Sequence, residues 1–194
     1  MTLARTRSAS AHQRVLNAAV ELVAERGVDA TSMDAIADCS GVSKATIYKH
    51  WPDKEALMLE MMAQMAGIHA RPKFDSGNTR ADMLAVLAYR PKEESETRER
   101  ITPHLLGYTA RNPAFGDAWR NMVMNPPRQE LTRLIEKGIV DGELSKEIDL
   151  EIALALLLGP ILYWYIFLRR SAGEPNGLAE EVVEVFWRAW GTSY

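Results

Sequence analysis

Between Ser10 and Arg26 the apolar residues Val15, Ala19, Leu22 and Val23 return every three or four positions, while Arg14, Glu21 and Glu25 fall mostly opposite. That spacing predicts a helix, with Gly27 placed to end it. Thr31 followed by Asp34 has the form of a capping box, and Met33, Ile36 and Ala37 supply a short apolar stripe. This second helix must stop near Cys39, because Ser40-Gly41 is a turn signal. Ser43 is a good N-cap for a third helix reaching about Trp51; Pro52 ends it, and Asp53 can cap a fourth over Asp53–Ala66. In that fourth helix Leu57, Met58, Met61, Met62 and Met65 form a methionine-rich face, adaptable in shape. A polar loop over Arg71–Thr79 marks a boundary. Beyond it the pattern predicts a short helix Arg80–Tyr89, a charge-dense surface run Pro91–Arg100 and a helix Ile101–Arg111. A segment from Asn112 to Lys137 follows, broken or kinked at Pro126-Pro127, with Gly138 closing it. Ile152–Leu168 is uncharged, and Leu178–Trp190 has Val182, Val185, Phe186, Ala189 and Trp190 at helical spacing. The fold class is all-α.

Two helices of about seven residues joined by a glycine-containing turn make a helix-turn-helix. Its second helix enters the DNA major groove with its N-terminal residues against base edges. On Ser43–His50, Ile47 faces inward with Val42, leaving Ser43, Lys44, Thr46, Tyr48, Lys49 and His50 outside. Lysine offers donors to guanine or phosphate, Ser and Thr reach either, and the methyls of Ala45 and Thr46 suit a thymine methyl.

Charge neither adds to this nor opposes it. The 194-residue chain has a net charge of −3 and a sequence pI near 5.9. Arg5 and Arg7 nevertheless lie in an acid-free N-terminal stretch, and Lys44 and Lys49 in another over Cys39–Pro52. A local basic face serves phosphates even on an acidic protein. Cys39 is the one cysteine, expected on a buried helix end and inert; a reducing cytoplasm is the simplest location. His12, His50, His69 and His104 are widely spaced and fit no metal-ligand pattern, and no nucleophile-elbow, Walker or dinucleotide-binding motif occurs. Neither an enzyme, a metal nor a cofactor is expected.

Leu16–Leu57 resembles the DNA-binding domain of the TetR family of bacterial transcription regulators. The resemblance is carried by Ala18-Ala19 and Leu22, Gly27, Thr31-Ser32-Met33, Ile36-Ala37, Gly41-Val42-Ser43, Tyr48, His50-Trp51, Lys54-Glu55 and Leu57. Trp51 stands where the family usually has Phe. The resemblance implies that Thr31 and Ser32 hold phosphate through backbone N–H and hydroxyl groups. It further implies that Lys44, Ala45 and Thr46 face bases, that Tyr48 and His50 touch the DNA backbone, and that Lys54 binds phosphate. The expected organisation is a flexible basic arm over 1–8, a DNA-binding domain over 9–69 with its motif at 32–51, and a ligand-binding and dimerisation domain over 70–194. The fourth helix joins a three-helix head to that larger helical domain.

The last two apolar helices exceed what one small domain needs to cover a face, which suggests a four-helix interface in a symmetric dimer. Asp141–Tyr163, with Gly142-Glu143-Leu144, Asp149 and Leu158-Gly159-Pro160, is similar to the C-terminal domain of a TetR subgroup whose last two helices dimerise. Leu150, Leu154, Leu157, Ile161, Val182, Val185, Phe186 and Trp190 are the expected dimerisation residues. A dimer sets two reading helices roughly 34–36 Å apart and predicts a pseudo-palindromic operator. Met62, Met65, Met83, His104, Tyr108, Trp119, Met122, Tyr163 and Trp164 are candidates to line a mostly apolar effector pocket, whose existence the resemblance implies. The expectation is a homodimeric, ligand-responsive repressor. The competing reading is a helical protein-interaction or membrane-associated module, although Ile152–Leu168 is at the short limit for a membrane span and is interrupted by Gly159-Pro160.

Overall fold

The computed structural model describes residues 3–89, 95–164 and 177–192. The described residues form α-helices joined by loops; their one extended pairing is a single bridge between Leu144 and Gly191. In chain order the helices are α1 (Leu3–Ala30), α2 (Met33–Ser40), α3 (Lys44–Tyr48), α4 (Lys54–Met65), α5 (Thr79–Ala88), α6 (Ser95–Arg111), α7 (Pro113–Trp119), α8 (Asn125–Val140), α9 (Leu150–Tyr163) and α10 (Leu178–Trp190).

The chain divides into two compact units that are not two consecutive stretches. The first comprises Met1–His69 and Pro91–Val123, the second Ala70–Arg90 and Met124–Tyr194. The expected boundary near residue 70 is therefore one of three crossings, and α6 and α7 belong with the N-terminal helices.

In the first unit, Val15, Ala19 and Val23 of α1, Ile36 of α2, Ile47 of α3 and Leu57, Met58, Met61 and Met62 of α4 are buried in one core. Ile101, Leu105 and Tyr108 of α6 and Phe115 of α7 complete it. Gly27 interrupts α1 with φ 82° and ψ 172°, a conformation open essentially to glycine alone. An added Cβ would also meet the His104 ring at 3.1 Å. The segment expected as a free basic arm is helical from Leu3 onward. The surface run expected before residue 101 is, from Ser95, the start of α6, which carries Pro103 internally.

In the second unit α5, α8, α9 and α10 enclose Met83, Val86, Leu131, Leu134, Ile135, Leu144, Leu154, Leu157, Val183 and Phe186. Asp82 is buried, and both its carboxylate oxygens accept the Ser76 N–H, at 3.0 Å each. The loop after α8 is tied to the end of α10 and the residues just beyond it: Ser145 N–H donates to Trp190 O at 2.8 Å, and Thr192 N–H to Glu143 O at 3.0 Å. The break expected at Pro126-Pro127 falls earlier, in a π-helical turn over Arg120–Met124. The prolines sit in the first turn of α8, where their missing N–H has no intrahelical partner to lose. Among the described residues no helix is long and apolar enough to cross a membrane; residues 165–168 of the uncharged stretch lie outside them.

Candidate nucleic-acid interface

The helix-turn-helix is built from local signals. Ser32 caps α2, its Oγ accepting the Ala35 N–H at 3.2 Å. Gly41, in the left-handed conformation at φ 64°, ends α2 and turns the chain. Ser43 caps α3: its Oγ accepts the Thr46 N–H at 3.3 Å and lies 2.9 Å from the Thr46 hydroxyl. Val42 and Ile47 are buried, as the spacing predicts. Ser43, Lys44, Ala45, Tyr48, Lys49 and His50 are exposed and Thr46 is half-buried, so the expected reading face is presented to solvent.

An acid not foreseen on this face is Asp34, whose Oδ1 lies 2.6 Å from Lys44 Nζ. That hydrogen bond raises the Lys44 pKa above its ordinary value. The pairing runs from the first turn of α2 to the first turn of α3, and nothing in the linear sequence joins these residues.

Two of the expected phosphate ligands are placed differently. Thr31 is buried; its hydroxyl donates to Gly27 O at 2.7 Å and its N–H to Val28 O at 3.2 Å. It thus closes the corner between α1 and α2, and the cap expected of it belongs to Ser32. Lys54 is half-buried, donating to Val28 O at 3.0 Å with its ammonium 5.9 Å from the Tyr108 ring centroid. It holds the C-terminal end of α1 rather than standing free at the α4 N-terminus. The turn into α4 is set as expected by Asp53, whose Oδ1 accepts the Ala56 N–H at 2.8 Å.

His50 belongs to a ring cluster whose other members the sequence pattern did not single out for it. Trp51 is 2% exposed. Its Nε1 donates to Glu60 Oε2 at 2.7 Å, and His12 Nε2 lies 2.9 Å from Glu60 Oε1. The only forewarning in the sequence was tryptophan where the resemblance expects phenylalanine.

Cys39 is exposed rather than buried. Partial dehydration, followed by the neighbouring Glu21 carboxylate, pushes its thiol pKa up and so favours the less reactive protonated form.

The nine expected pocket residues are split between units. Met62, Met65, His104, Tyr108, Trp119 and Met122 lie in the first, Met83, Tyr163 and Trp164 in the second. Met62 and Tyr108 are core residues of the first unit and Met83 of the second. Tyr108 donates its hydroxyl to Glu55 Oε1 at 3.0 Å. His104, Met122 and Tyr163 are exposed. A cavity of about 290 Å³ in the second unit is lined by Gly77, Asn78, Arg80, Glu143, Trp187 and Thr192, none of them among the nine.

The expected dimerisation residues differ in their exposure. Leu154, Leu157 and Phe186 are buried within their own unit, and Leu150, Ile161, Val182 and Trp190 pack partly against the same core. Only Val185 of the set is a large exposed apolar residue; Ile152, Leu156 and Tyr163, one stripe of α9 at intervals of four and seven, join it. Among the described residues no group of His, Cys, Asp and Glu is arranged to hold a metal.

Comparison with known proteins agrees with this architecture. Residues 15–61 match the family described as bacterial regulatory proteins, tetR family, and residues 74–186 match the tetracyclin repressor-like C-terminal domain. The chain is 31% identical over 159 residues to the HTH-type transcriptional regulator YdeS of Bacillus subtilis (strain 168), covering 82% of this chain and 80% of that protein. Among solved structures it is similar to the flavonoid-responsive regulator FrrA, with TM-score 0.68 and 24% identity over 95% of this chain and 98% of that one. It is also similar to MexZ, a repressor responsible for antibiotic resistance in Pseudomonas aeruginosa, with TM-score 0.68 and 20% identity over 92% and 94%. With both domain matches and a relative at this identity, the chain belongs to the TetR family of transcription regulators.

Proposed function

We propose that this regulator binds a pseudo-palindromic operator as a homodimer, represses from it, and is released by a small, largely apolar molecule. The observation that carries the DNA-reading part is the division of α3. Ile47 and Trp51 turn inward, while Ser43, Lys44, Ala45, Tyr48, Lys49 and His50 remain outward. Side chains near the N-terminus of such a helix meet base edges, and cationic and hydroxyl groups around them engage phosphates. The dimer is supported by the apolar stripe Ile152, Leu156 and Tyr163 on α9 together with Val185 on α10, all more than half exposed. Effector release is supported by the family and, by its name, by the flavonoid-responsive relative.

The test is binding to the duplex upstream of the protein's own gene across a range of salt. Log affinity should fall linearly with log salt, because each neutralised phosphate releases counterion. Absence of any preference for that duplex over an unrelated one at low salt would count against operator reading there and favour a helical interaction module.

A further inference from the structure

A five-residue helix cannot hold its own position; isolated helices shorter than roughly 12–15 residues are marginal in water. The placement of α3 on DNA is therefore only as fixed as its anchors. Its N-terminal end is capped locally by Ser43, and Ile47 pins its middle. Its far end depends on Trp51, whose backbone N–H donates to Ile47 O at 3.0 Å. Burying an indole brings a polar N–H out of water, and that N–H needs an acceptor. Glu60 of α4 supplies it through Oε2 at 2.7 Å, while Oε1 lies 2.9 Å from His12 Nε2 of α1. The His12 and Trp51 rings lie 4.6 Å apart with a 32° tilt. His50, on the outward face, sits edge-on to His12 at 5.4 Å and 5.5 Å from Trp51.

We propose that Glu60 is a positioning residue for DNA reading. One carboxylate ties α1, α4 and the end of α3 together, and so sets how α3 presents Lys44, Ala45 and Thr46 to base edges. It acts through Trp51 and His12. The inference rests on α3 being the reading helix. Electrostatics alone predicts the opposite behaviour: removing an acid beside a DNA-binding face strengthens duplex binding.

The experiment measures fluorescence anisotropy of the full chain with two duplexes, the one upstream of its own gene and an unrelated one of equal length. Glu60→Ala is expected to weaken the first by about tenfold, the scale of one lost base-pair contact. Binding to the unrelated duplex, carried by phosphate contacts, should stay within about twofold. Glu60→Gln, whose amide oxygen still accepts from the indole, should retain the affinity. Glu60→Asp, equally charged but one methylene shorter, should lose it. In a Trp51→Phe background, which keeps a ring without the N–H, Glu60→Ala should cost much less. Folded Glu60→Ala with unchanged preference, or an equal loss with and without the indole, overturns the proposal. If Glu60→Ala does not fold, the order of Gln and Asp decides, and Asp binding better than Gln overturns it. Failure of the unaltered protein to prefer its own duplex would instead strike at the reading role of α3.

Discussion

Lys49 and Lys54 show how two like residues five positions apart come to different work. Lys49 is exposed beyond the last turn of α3, whereas Lys54 is half-buried with its ammonium on Val28 O. Replacing Lys49 with Ala should flatten the dependence of log affinity on log salt by about one, the signature of one lost phosphate contact. Replacing Lys54 with Met should flatten it less and lower the melting temperature, because a carbonyl at the end of α1 loses its partner. An equal flattening with unchanged melting would return Lys54 to the phosphate-binding set. Thr31 carries the same lesson: a hydroxyl at a helix start suggests a cap or a phosphate ligand, and the residue beside it has taken that position.

At the scale of elements, what was legible in the sequence was whatever is decided within a few residues. The Ser43 and Asp53 caps, the Gly41 turn and the inward Ile47 depend on local bonding and periodicity, and all are found. What was not legible is pairing between elements. Asp34 with Lys44, or Glu60 with His12 and Trp51, joins residues that no periodicity relates. Helix α9 was illegible for a different reason. It is apolar on nearly every side, so periodicity could not say which stripe faces its own core. Its neighbours settle that, taking Leu154 and Leu157 inward and leaving Ile152 and Leu156 outside. Leu156→Arg and Val185→Asp should therefore each weaken self-association by about tenfold or more, about 1.4 kcal/mol, seen as a monomer in sedimentation velocity, with little change in helix content. A dimer unaffected by both would place the interface on another surface.

For the whole molecule the proposed function makes the coupling between effector and operator the governing quantity. A ligand that releases DNA must itself bind less tightly when DNA is present, by the same factor, typically on the order of 5–150-fold. Calorimetric titration of an effector, once one is found, with and without operator duplex should give that factor from both directions. Equal effector affinity in the two titrations would leave release without a thermodynamic basis. The net charge of −3 bears little on this; DNA binding depends on a local face rather than on the sum over the chain.

The threading of the chain also limits how its parts can be exchanged. Because Ile101, Leu105, Tyr108 and Phe115 complete the core of the first unit, residues 1–69 are not an independent cassette. A recombination event that spliced a foreign head onto this chain at residue 70 would leave that head facing an α6 selected for a different partner. An excised head would expose the apolar ground that α6 covers. Transplanting its DNA preference is better done by exchanging the outward side chains of α3, leaving the hidden seam intact.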